Sequence, residues 1–225
     1  MIAEQQRPRY IAIEGAIGAG KTALATKLAH KLKARLILEE FGENPFLTRF
    51  YRNPEQYAFQ TQLSFLANRY KQQQAFRNFD LFHEHLVSDY IFDKDRIFAY
   101  LNLQDEELKL YESLTRQMDK TIVQPDLVIY LQSTVERLID NVRRRDHPFE
   151  RTMTPEYLQN LHDAYNYFFF RYKKTPLLIV NISELDFVRD EQDFELICEL
   201  IFRQKYTGTE YFKPEKKLTY SKGAV

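Results

Sequence analysis

Three of the six glycines in this chain lie within six consecutive residues near its start. They are Gly15, Gly18 and Gly20, in the sequence IEGAIGAGKT, which follows the apolar segment RYIAIE and precedes a helical pattern of leucines. Because glycine has no side chain, its backbone can approach a bound group closely and can adopt left-handed conformations. The cluster therefore predicts a strand, a tight loop and a helix, with the loop in contact with a ligand.

The cluster matches the pattern G-x-x-x-x-G-K-[ST] in full, and it lies between a strand and a helix, where the pattern is specific. In such a loop the backbone N–H groups point at phosphate oxygens, and the following helix adds its positive N-terminal end. Lys21 would neutralise the β- and γ-phosphates of a nucleoside triphosphate such as ATP, and the Thr22 hydroxyl would bind Mg²⁺. The residues expected at this site are Gly15, Ala16, Ile17, Gly18, Ala19, Gly20, Lys21 and Thr22.

Short apolar segments of β type alternate with longer helical segments along the chain. The predicted strands cover residues 9–14, 35–40, 84–89, 125–131 and 176–182. Strands that are apolar on both faces and alternate with helices indicate a parallel sheet between helical layers. We therefore predict an α/β fold of the P-loop NTPase type, with a five-stranded parallel sheet, in one domain over residues 1–205. A polar tail, 206–225, is expected to follow it.

The composition limits the classes of partner. Lys and Arg together number 32, as do Asp and Glu, so the net charge is zero. Binding to a polyanion such as DNA requires a basic excess or patch, so no nucleic-acid partner is expected. The single cysteine cannot form a disulfide within the chain, no signal peptide is evident, and the apolar runs fall short of the ~20 residues of a membrane helix. We expect a cytoplasmic protein without a membrane partner.

Acidic and basic residues occupy places that suit phosphoryl transfer. Glu39 and Glu40 end the second predicted strand and Asp89 ends the third, at the edge where open parallel sheets bind ligands. Acids there can support Mg²⁺ or accept the proton of an acceptor hydroxyl. The triplet RRR at 143–145 lies in a turn between two helices, where a lid over the phosphates would close. We therefore predict a small-molecule kinase with a lid over about 143–153.

Four segments together resemble the deoxynucleoside kinase family, which includes bacterial deoxyadenosine and deoxyguanosine kinases and animal deoxycytidine and thymidine kinases. They are the phosphate loop, EEFGENPFLTRFYRNPEQYAFQTQLSFLANRYKQ, RRRDHPFERTMTPEYLQNLHDAYNYFF and NISELDFVRDEQDF. The resemblance extends from about residue 9 to 204. It implies an enzyme that uses ATP and Mg²⁺ to phosphorylate the 5′-hydroxyl of a deoxynucleoside, and it implies a homodimer.

The resemblance also implies roles for residues around the acceptor. Glu39 would meet the sugar 5′-hydroxyl, with Glu40 as the alternative if the register differs by one residue. Gln62 would hydrogen-bond the base edge and Arg69 would lie seven residues along the same helix, with Gln60 as the competitor of Gln62. The remaining acceptor-site residues implied are Tyr51 and Glu150 at the 3′-hydroxyl and Asp95, or else Asp93, in the base pocket.

At one position the sequence departs from the family. Asp89 corresponds to the acid of an acid–arginine pair, but Tyr90 stands where the arginine is usual. Arg96 or a lid arginine could supply the missing charge. The expected catalytic residues are Lys21, Glu39, Asp89 and Arg144; the expected Mg²⁺ ligands are Thr22 and Asp89; and Arg143, Arg145, Asp186 and Phe187 are expected to contact ATP.

Two other functions remain open at this point. A thymidylate kinase would share the loop and the order of strands, but it needs an arginine to grip the acceptor phosphate where this chain has Tyr90. A non-catalytic subunit could retain the fold without turnover. Which base is preferred, and whether Glu39 or Asp89 accepts the proton, does not follow from the residues.

Overall fold

The computed structural model describes residues 8–40, 44–76, 83–147, 150–151, 153–203 and 206–214. Six parallel strands form one sheet in the order β2-β3-β1-β4-β5-β6. The strands are β1 (Tyr10–Gly15), β2 (Arg35–Ile37), β3 (Leu86–Ser88), β4 (Leu127–Gln132), β5 (Leu177–Asn181) and β6 (Thr209–Phe212). The helices are α1 (Lys21–Leu32), α2 (Leu47–Arg52), α3 (Pro54–Phe76), α4 (Lys94–Asn102), α5 (Asp105–Met118), α6 (Val135–Arg145), α7 (Pro155–Phe169) and α8 (Glu191–Phe202).

The prediction of a five-stranded sheet is wrong, because the sheet has a sixth strand. Residues 209–212 lie in the segment expected to be a polar tail, and they pair with β5 from Leu177↔Thr209 to Val180↔Phe212. Their side chains alternate between exposed and half-buried. An edge strand pairs on one side only and needs little apolar surface, which is why composition did not reveal it. Residues 215–225 of that segment lie outside the described residues.

The interior strands follow from their apolar sequences. All six residues of β1 are buried, and β1 pairs with β4 in a register that sets Ile13 opposite Ile129 and Glu14 opposite Tyr130. The ring of Tyr130 stacks on that of Phe169 from α7, with centroids 4.4 Å apart and planes 12° from parallel. These contacts fix the carboxyl end of the sheet, where the phosphate loop emerges from β1.

Helices α2 to α5 build a second, smaller apolar cluster beside the sheet. Leu47 and Phe50 of α2, Leu66 of α3 and Ala99 of α4 belong to it. It holds α3 and α4 across from the phosphate loop, so that a space remains between these helices and the sheet edge. Within the described ranges, none of the helices combines the length and the apolar character needed to cross a membrane.

Candidate active site

The loop between β1 and α1 has the backbone shape that the glycine cluster predicts. Gly18 and Gly20 have φ angles of 88° and 86°, in the left-handed region that disfavours other residues. A Cβ on Gly18 would lie 2.7 Å from the carbonyl oxygen of Leu138, and one on Gly20 would lie 2.9 Å from Cζ of Phe187. Helix α1 begins directly after the loop at Lys21. Backbone N–H groups and the positive end of a helix are therefore available to an anion here.

Lys21 and Thr22 are the first two residues of α1. Lys21 Nζ donates a hydrogen bond to the carbonyl oxygen of Ala16 at 3.2 Å, so the side chain folds back over the loop. Burial, together with the nearby positive charge of Lys94, lowers the pKa of Lys21 to about 8. The Thr22 hydroxyl donates to Oδ2 of Asp89 at 2.5 Å. A polyphosphate in the loop would favour the charged form of Lys21, because its negative charge offsets both the burial of Lys21 and the repulsion from Lys94.

One cavity extends from the phosphate loop to α2, α3 and α4. Its apolar walls include Leu47, Phe50 and Phe65. The residues of the predicted site that line it are Ile17, Lys21, Thr22, Glu39, Tyr51, Gln62, Arg69, Asp89, Asp95, Arg145 and Glu150. The donor-side and acceptor-side residues of the prediction thus share one space.

Glu39 is the centre of a buried ionic network in this cavity. Its two carboxylate oxygens pair with Arg69 of α3 and with Lys94 of α4, and Arg69 also pairs with Asp95. Burial alone would raise the pKa of Glu39, but the charges of Lys94 and Arg69 outweigh it and hold that pKa well below its usual range. Glu40 is exposed and does not line the cavity. Since β2 ends at Ile37, Glu39 rather than its neighbour reaches the site.

Asp89 links the phosphate loop to the end of β2. Its Oδ1 accepts a hydrogen bond from the backbone N–H of Glu39 at 2.7 Å, while Oδ2 accepts from Thr22. Tyr90, which follows it, is fully buried, and its hydroxyl donates to Oε1 of Gln72 at 2.7 Å. Tyr90 therefore packs in the protein interior and does not line the cavity.

Of the residues expected to supply the missing charge, the lid arginine Arg145 lines the cavity and Arg96 does not. Arg96 forms ion pairs with Asp119 and with Asp93, and it does not line the cavity. Lys94, two residues earlier, lines the cavity instead, with a side chain that is 6% exposed. This chain, which has Tyr90 where the family usually has arginine, therefore also has a lysine that reaches the site from the start of α4.

Polar groups of α3 and α4 line the far end of the cavity. Gln62 and Arg69, seven residues apart, share one face of α3, and both are buried. Oε1 of Gln62 and Oδ2 of Asp95 have no hydrogen-bond partner among the described residues. Gln60 is exposed, and neither Gln60 nor Asp93 belongs to the lining. Buried acceptors without donors indicate that a ligand with N–H groups belongs here.

The end of α6 brings the predicted lid against both the cavity and the phosphate loop. Arg145 forms an ion pair with the buried Glu150, with Nε 3.2 Å from Oε2. Arg144 hydrogen-bonds Oδ1 of Asn141, whose amide donates to the carbonyl oxygen of Gly18 at 2.8 Å. Residues 148, 149 and 152, within the predicted lid, lie outside the described residues.

A second cleft opens on the other side of the phosphate loop. It is lined by Gly18, Ala19, Gly20, Arg137, Asn141, Arg144, Arg145, Asp186, Phe187, Val188 and Arg189. Arg137 donates hydrogen bonds to the carbonyl oxygens of Ile182 at 2.6 Å and Ser183 at 2.7 Å, and also to that of Leu185. Arg137 thereby holds the loop that carries Asp186 and Phe187 beside the phosphate loop.

Sequence reasoning missed several residues of the two clefts, among them Lys94, Tyr157 and Arg137, and it expected Arg143 in a place that it does not occupy. Lys94 and Tyr157 line the cavity, and Arg137 supports the second cleft, but none belongs to a motif of fixed spacing. Arg143 lines neither; it borders a separate surface depression with Arg151. A weak signal was available for Arg137, since an arginine one turn into a helix after β4 is close to the loop after β5.

The match to a known protein family covers most of the chain. Residues 11–205 match the sequence profile of a family described as deoxynucleoside kinase. This chain belongs to the deoxynucleoside kinase family. The predicted resemblance is confirmed, and this deoxynucleoside kinase is an enzyme of the phosphotransferase class.

Two relatives of this deoxynucleoside kinase are named for purine deoxynucleosides, and a third is named for deoxyadenosine and deoxycytidine. It is 33% identical over 194 residues to the deoxyguanosine kinase of Bacillus subtilis, across 84% of this chain and 94% of the relative. It is 34% identical over 195 residues to the deoxyadenosine kinase of Dictyostelium discoideum, across 84% of this chain and 77% of the relative. These matches give no support to a thymidylate kinase or a non-catalytic subunit.

A solved structure of a relative has the same fold. The deoxyadenosine kinase from M. mycoides with bound dATP superposes with a TM-score of 0.75 at 26% identity, over 86% of this chain and 98% of that chain. The predicted α/β fold of the P-loop type, with a parallel sheet flanked by helices, is therefore confirmed apart from the number of strands.

Proposed function

We propose that this deoxynucleoside kinase transfers the γ-phosphoryl group of ATP to the 5′-hydroxyl of a purine deoxynucleoside. One observation carries the proposal: a single cavity joins Lys21 and Thr22 of the phosphate loop to the buried polar groups of α3 and α4. A donor phosphate at one end and a nucleoside at the other would meet near Glu39 and Asp89. Phosphoryl transfer is the reaction that suits a triphosphate and a hydroxyl group brought together beside these two acids.

ATP is proposed to lie along the second cleft, with its phosphates in the loop. Its adenine would contact Asp186 and Phe187, and Arg144 and Arg145 would approach the phosphates from α6. Mg²⁺ suits the oxygens of Thr22 and Asp89, because this ion takes one or two protein ligands and completes its shell with phosphate oxygens and water. When bound, Mg²⁺ would offset the charge of the β- and γ-phosphates.

The hydrogen bonds of the two acids favour different roles for them. Both oxygens of Asp89 are engaged by the phosphate-loop helix and the end of β2, which suits a group that supports Mg²⁺. Glu39 lies further along the cavity and is kept ionised by Arg69 and Lys94. We therefore assign to Glu39 the binding of the 5′-hydroxyl and the acceptance of its proton. The alkoxide oxygen would attack the γ-phosphorus, and ADP would leave.

The sugar and the base are assigned to the far end of the cavity. Tyr51 and Glu150 would hold the 3′-hydroxyl. Gln62, Arg69 and Asp95 would contact the base edge, where two buried acceptor oxygens lack donors among the described residues. An exocyclic amino group would supply two N–H donors to those oxygens, whereas thymine has no amino group and only one ring N–H donor. The relatives are named for deoxyguanosine, for deoxyadenosine or, in one case, for deoxyadenosine and deoxycytidine, whose bases all carry an amino group. Thymidine is therefore expected to be the poorest of the four deoxynucleosides.

A substrate panel tests the proposal. ADP release is measured with ATP, Mg²⁺ and each of the four common deoxynucleosides, and with dTMP as a separate acceptor. Deoxyguanosine and deoxyadenosine are expected to give the highest kcat/KM. If ATP binds but no deoxynucleoside raises ADP release above the background with ATP alone, the proposed acceptor is wrong.

Gln62→Ala is expected to change base selectivity. Removing a buried amide that pairs with the base should alter the ratio of kcat/KM between deoxyguanosine and thymidine by about 10-fold or more, because the discriminating hydrogen bonds are lost. The KM for ATP should stay unchanged. Gln60→Ala, on the exposed side of the same helix, is the matched control. An effect on the KM for ATP alone would show that Gln62 does not contact the base.

We also propose a homodimer. Large side chains are exposed on adjacent helices: Tyr100 of α4 is 61% exposed, and Tyr167 and Phe170 at the end of α7 are 64% and 59% exposed. Apolar and aromatic surface of this kind is typical of protein contacts. Sedimentation equilibrium is expected to give twice the chain mass of 27.0 kDa, and Tyr167→Glu should shift it towards the monomer. A wild-type protein that sediments at 27.0 kDa at micromolar concentration would contradict the dimer.

A further inference from the structure

Lys94 is a buried cation that the sequence analysis assigned no role. It is the first residue of α4, and its side chain is 6% exposed. Its Nζ pairs with Glu39, and the ammonium group lies 5.8 Å from the centre of the Phe98 ring. Lysine is rarely buried to this extent unless it is paired or functional. The burial of Lys94 therefore needs an explanation that a solvated surface charge would not need.

Neutralising Glu39 does not account for Lys94. Arg69 already pairs with Glu39 from the opposite helix, and it is less exposed than Lys94, at 4%. Lys94 also lies close enough to Lys21 for their positive charges to repel each other, and within the protein the carboxylates of Glu14 and Glu39 offset only part of this, since the pKa of Lys21 stays lowered. Two ammonium groups that line one cavity are favourable together when an anion lies between them. The phosphoryl group of the proposed reaction is an anion of that kind.

We propose that Lys94 is a catalytic residue that contacts the attacking 5′-oxygen and the transferred phosphoryl group. The proposal rests on the proposed function. Lys94 thus supplies, from the start of α4, the positive charge that Tyr90 cannot.

The charges and atoms balance as follows during transfer. The proton of the 5′-hydroxyl moves to Glu39, the bond from the 5′-oxygen to the γ-phosphorus forms, and the bond from that phosphorus to the leaving ADP oxygen breaks. Glu39 becomes neutral, and its attraction for the ammonium group of Lys94 falls at that moment. Lys94 keeps its own protons and its charge, which then faces the oxygens where negative charge develops. A contact that strengthens only in the transition state raises kcat rather than affinity.

Substitution of Lys94 tests the assignment. Lys94→Met and Lys94→Ala are expected to lower kcat by about 10²-fold, in the range found when one preorganised charge contact is removed. The Kd for ATP, measured by calorimetry, should stay unchanged. Lys94→Arg keeps the positive charge but has a guanidinium group of different shape, so its kcat should lie between those of the wild type and Lys94→Met. Lys174→Met is the matched control, because Lys174 pairs with Asp93 just before α4, and Asp93 retains Arg96.

Chemical rescue separates catalysis from positioning. Methylammonium or ethylammonium is added to Lys94→Ala. We expect kcat to rise with the concentration of the added cation and to reach a plateau, because the small cation binds in the space that the lysine side chain vacated. A Lys94→Ala variant that melts and binds ATP like the wild type but is not rescued would overturn the contact with the reacting atoms, and so would near-wild-type kcat in Lys94→Met. If these variants fail to fold, Lys94→Arg still decides: full wild-type kcat with Arg would overturn a contact of defined geometry.

Failure of this proposal is distinguishable from failure of the proposed function. The wild-type protein is assayed first with the deoxynucleoside panel. Turnover by the wild type that survives Lys94→Met overturns the role of Lys94 alone. Absence of turnover in the wild type overturns both.

Discussion

Lys21→Ala is expected to lower kcat by about 10²-fold or more, since it removes one preorganised charge at the site of phosphoryl transfer. Lys21 is the first residue of α1, and its side chain folds back over the phosphate loop, where Gly18 and Gly20 have positive φ angles that favour glycine. It lines the cavity that also contains the proposed acceptor site. Its charge would stabilise the leaving β-phosphate and the transferred group, so its loss should reduce kcat more than it raises the KM for the deoxynucleoside.

The matched control for this variant is Lys31→Ala. Lys31 lies ten residues later on the same helix and pairs with Glu195 at 2.6 Å, and it lines neither cleft. The Lys31→Ala enzyme should turn over at the wild-type rate. Steady-state kinetics with saturating ATP and deoxynucleoside measure both variants. A Lys21→Ala enzyme with near-wild-type kcat would show that the phosphate loop does not serve transfer as described.

Arg69→Leu is expected to lower the free energy of unfolding by about 3–5 kcal/mol at neutral pH, the usual cost of removing one partner of a buried ion pair. Arg69 is 4% exposed and pairs with both Glu39 and Asp95. Lys94 still faces Glu39 in the variant, but Asp95, which is 1% exposed, loses its cation. A buried carboxylate without a partner destabilises the folded state strongly.

The sign of the pH dependence follows from Glu39. Its pKa in the folded protein is held below the ordinary value, despite burial, by Lys94 and Arg69. Such a group stabilises the fold above the ordinary glutamate pKa, and this contribution is lost as the pH falls through the lowered pKa. Arg69→Leu removes part of that contribution, so its cost should be largest at neutral pH and smaller in acid.

Urea denaturation at several pH values measures this cost. Arg203→Leu is the matched control, because Arg203 is 43% exposed and pairs with Glu210 at 2.8 Å. An exposed pair is worth about 0–1 kcal/mol. If Arg69→Leu loses no more stability than Arg203→Leu at neutral pH, the buried network does not stabilise the protein in the way described.

Local patterns predicted the parts of the molecule that local sequence controls. The phosphate loop is a short segment whose glycines must adopt left-handed backbone, so Gly18 and Gly20 reveal it directly. The four interior strands are apolar and almost entirely buried, which makes them recognisable in the sequence, and the half-buried edge strand β2 still carries the apolar residues Leu36 and Ile37. β6 was missed because an edge strand with exposed Thr209 and Tyr211 pairs through its backbone rather than through apolar side chains.

Long-range pairing explains the rest of what sequence reasoning missed. Lys94 and Glu39 are 55 residues apart, and only the folded sheet brings them together. The choice between Glu39 and Glu40 depends on where β2 ends, and the boundary of a strand is not visible in an acidic pair. The choice between Asp93 and Asp95 likewise depends on the direction that each side chain takes at the start of α4.

The central claim is that the phosphate loop and the polar end of the cavity serve one transfer from ATP to a deoxynucleoside. Its most direct test follows a radioactive γ-phosphate from ATP into the product with deoxyguanosine as acceptor. We expect the label to appear in a nucleoside monophosphate from which a 5′-nucleotidase releases it, and we expect Lys21→Ala to slow the appearance of label by about 10²-fold or more. Label that appears only as inorganic phosphate, with deoxyguanosine unchanged, would contradict the account.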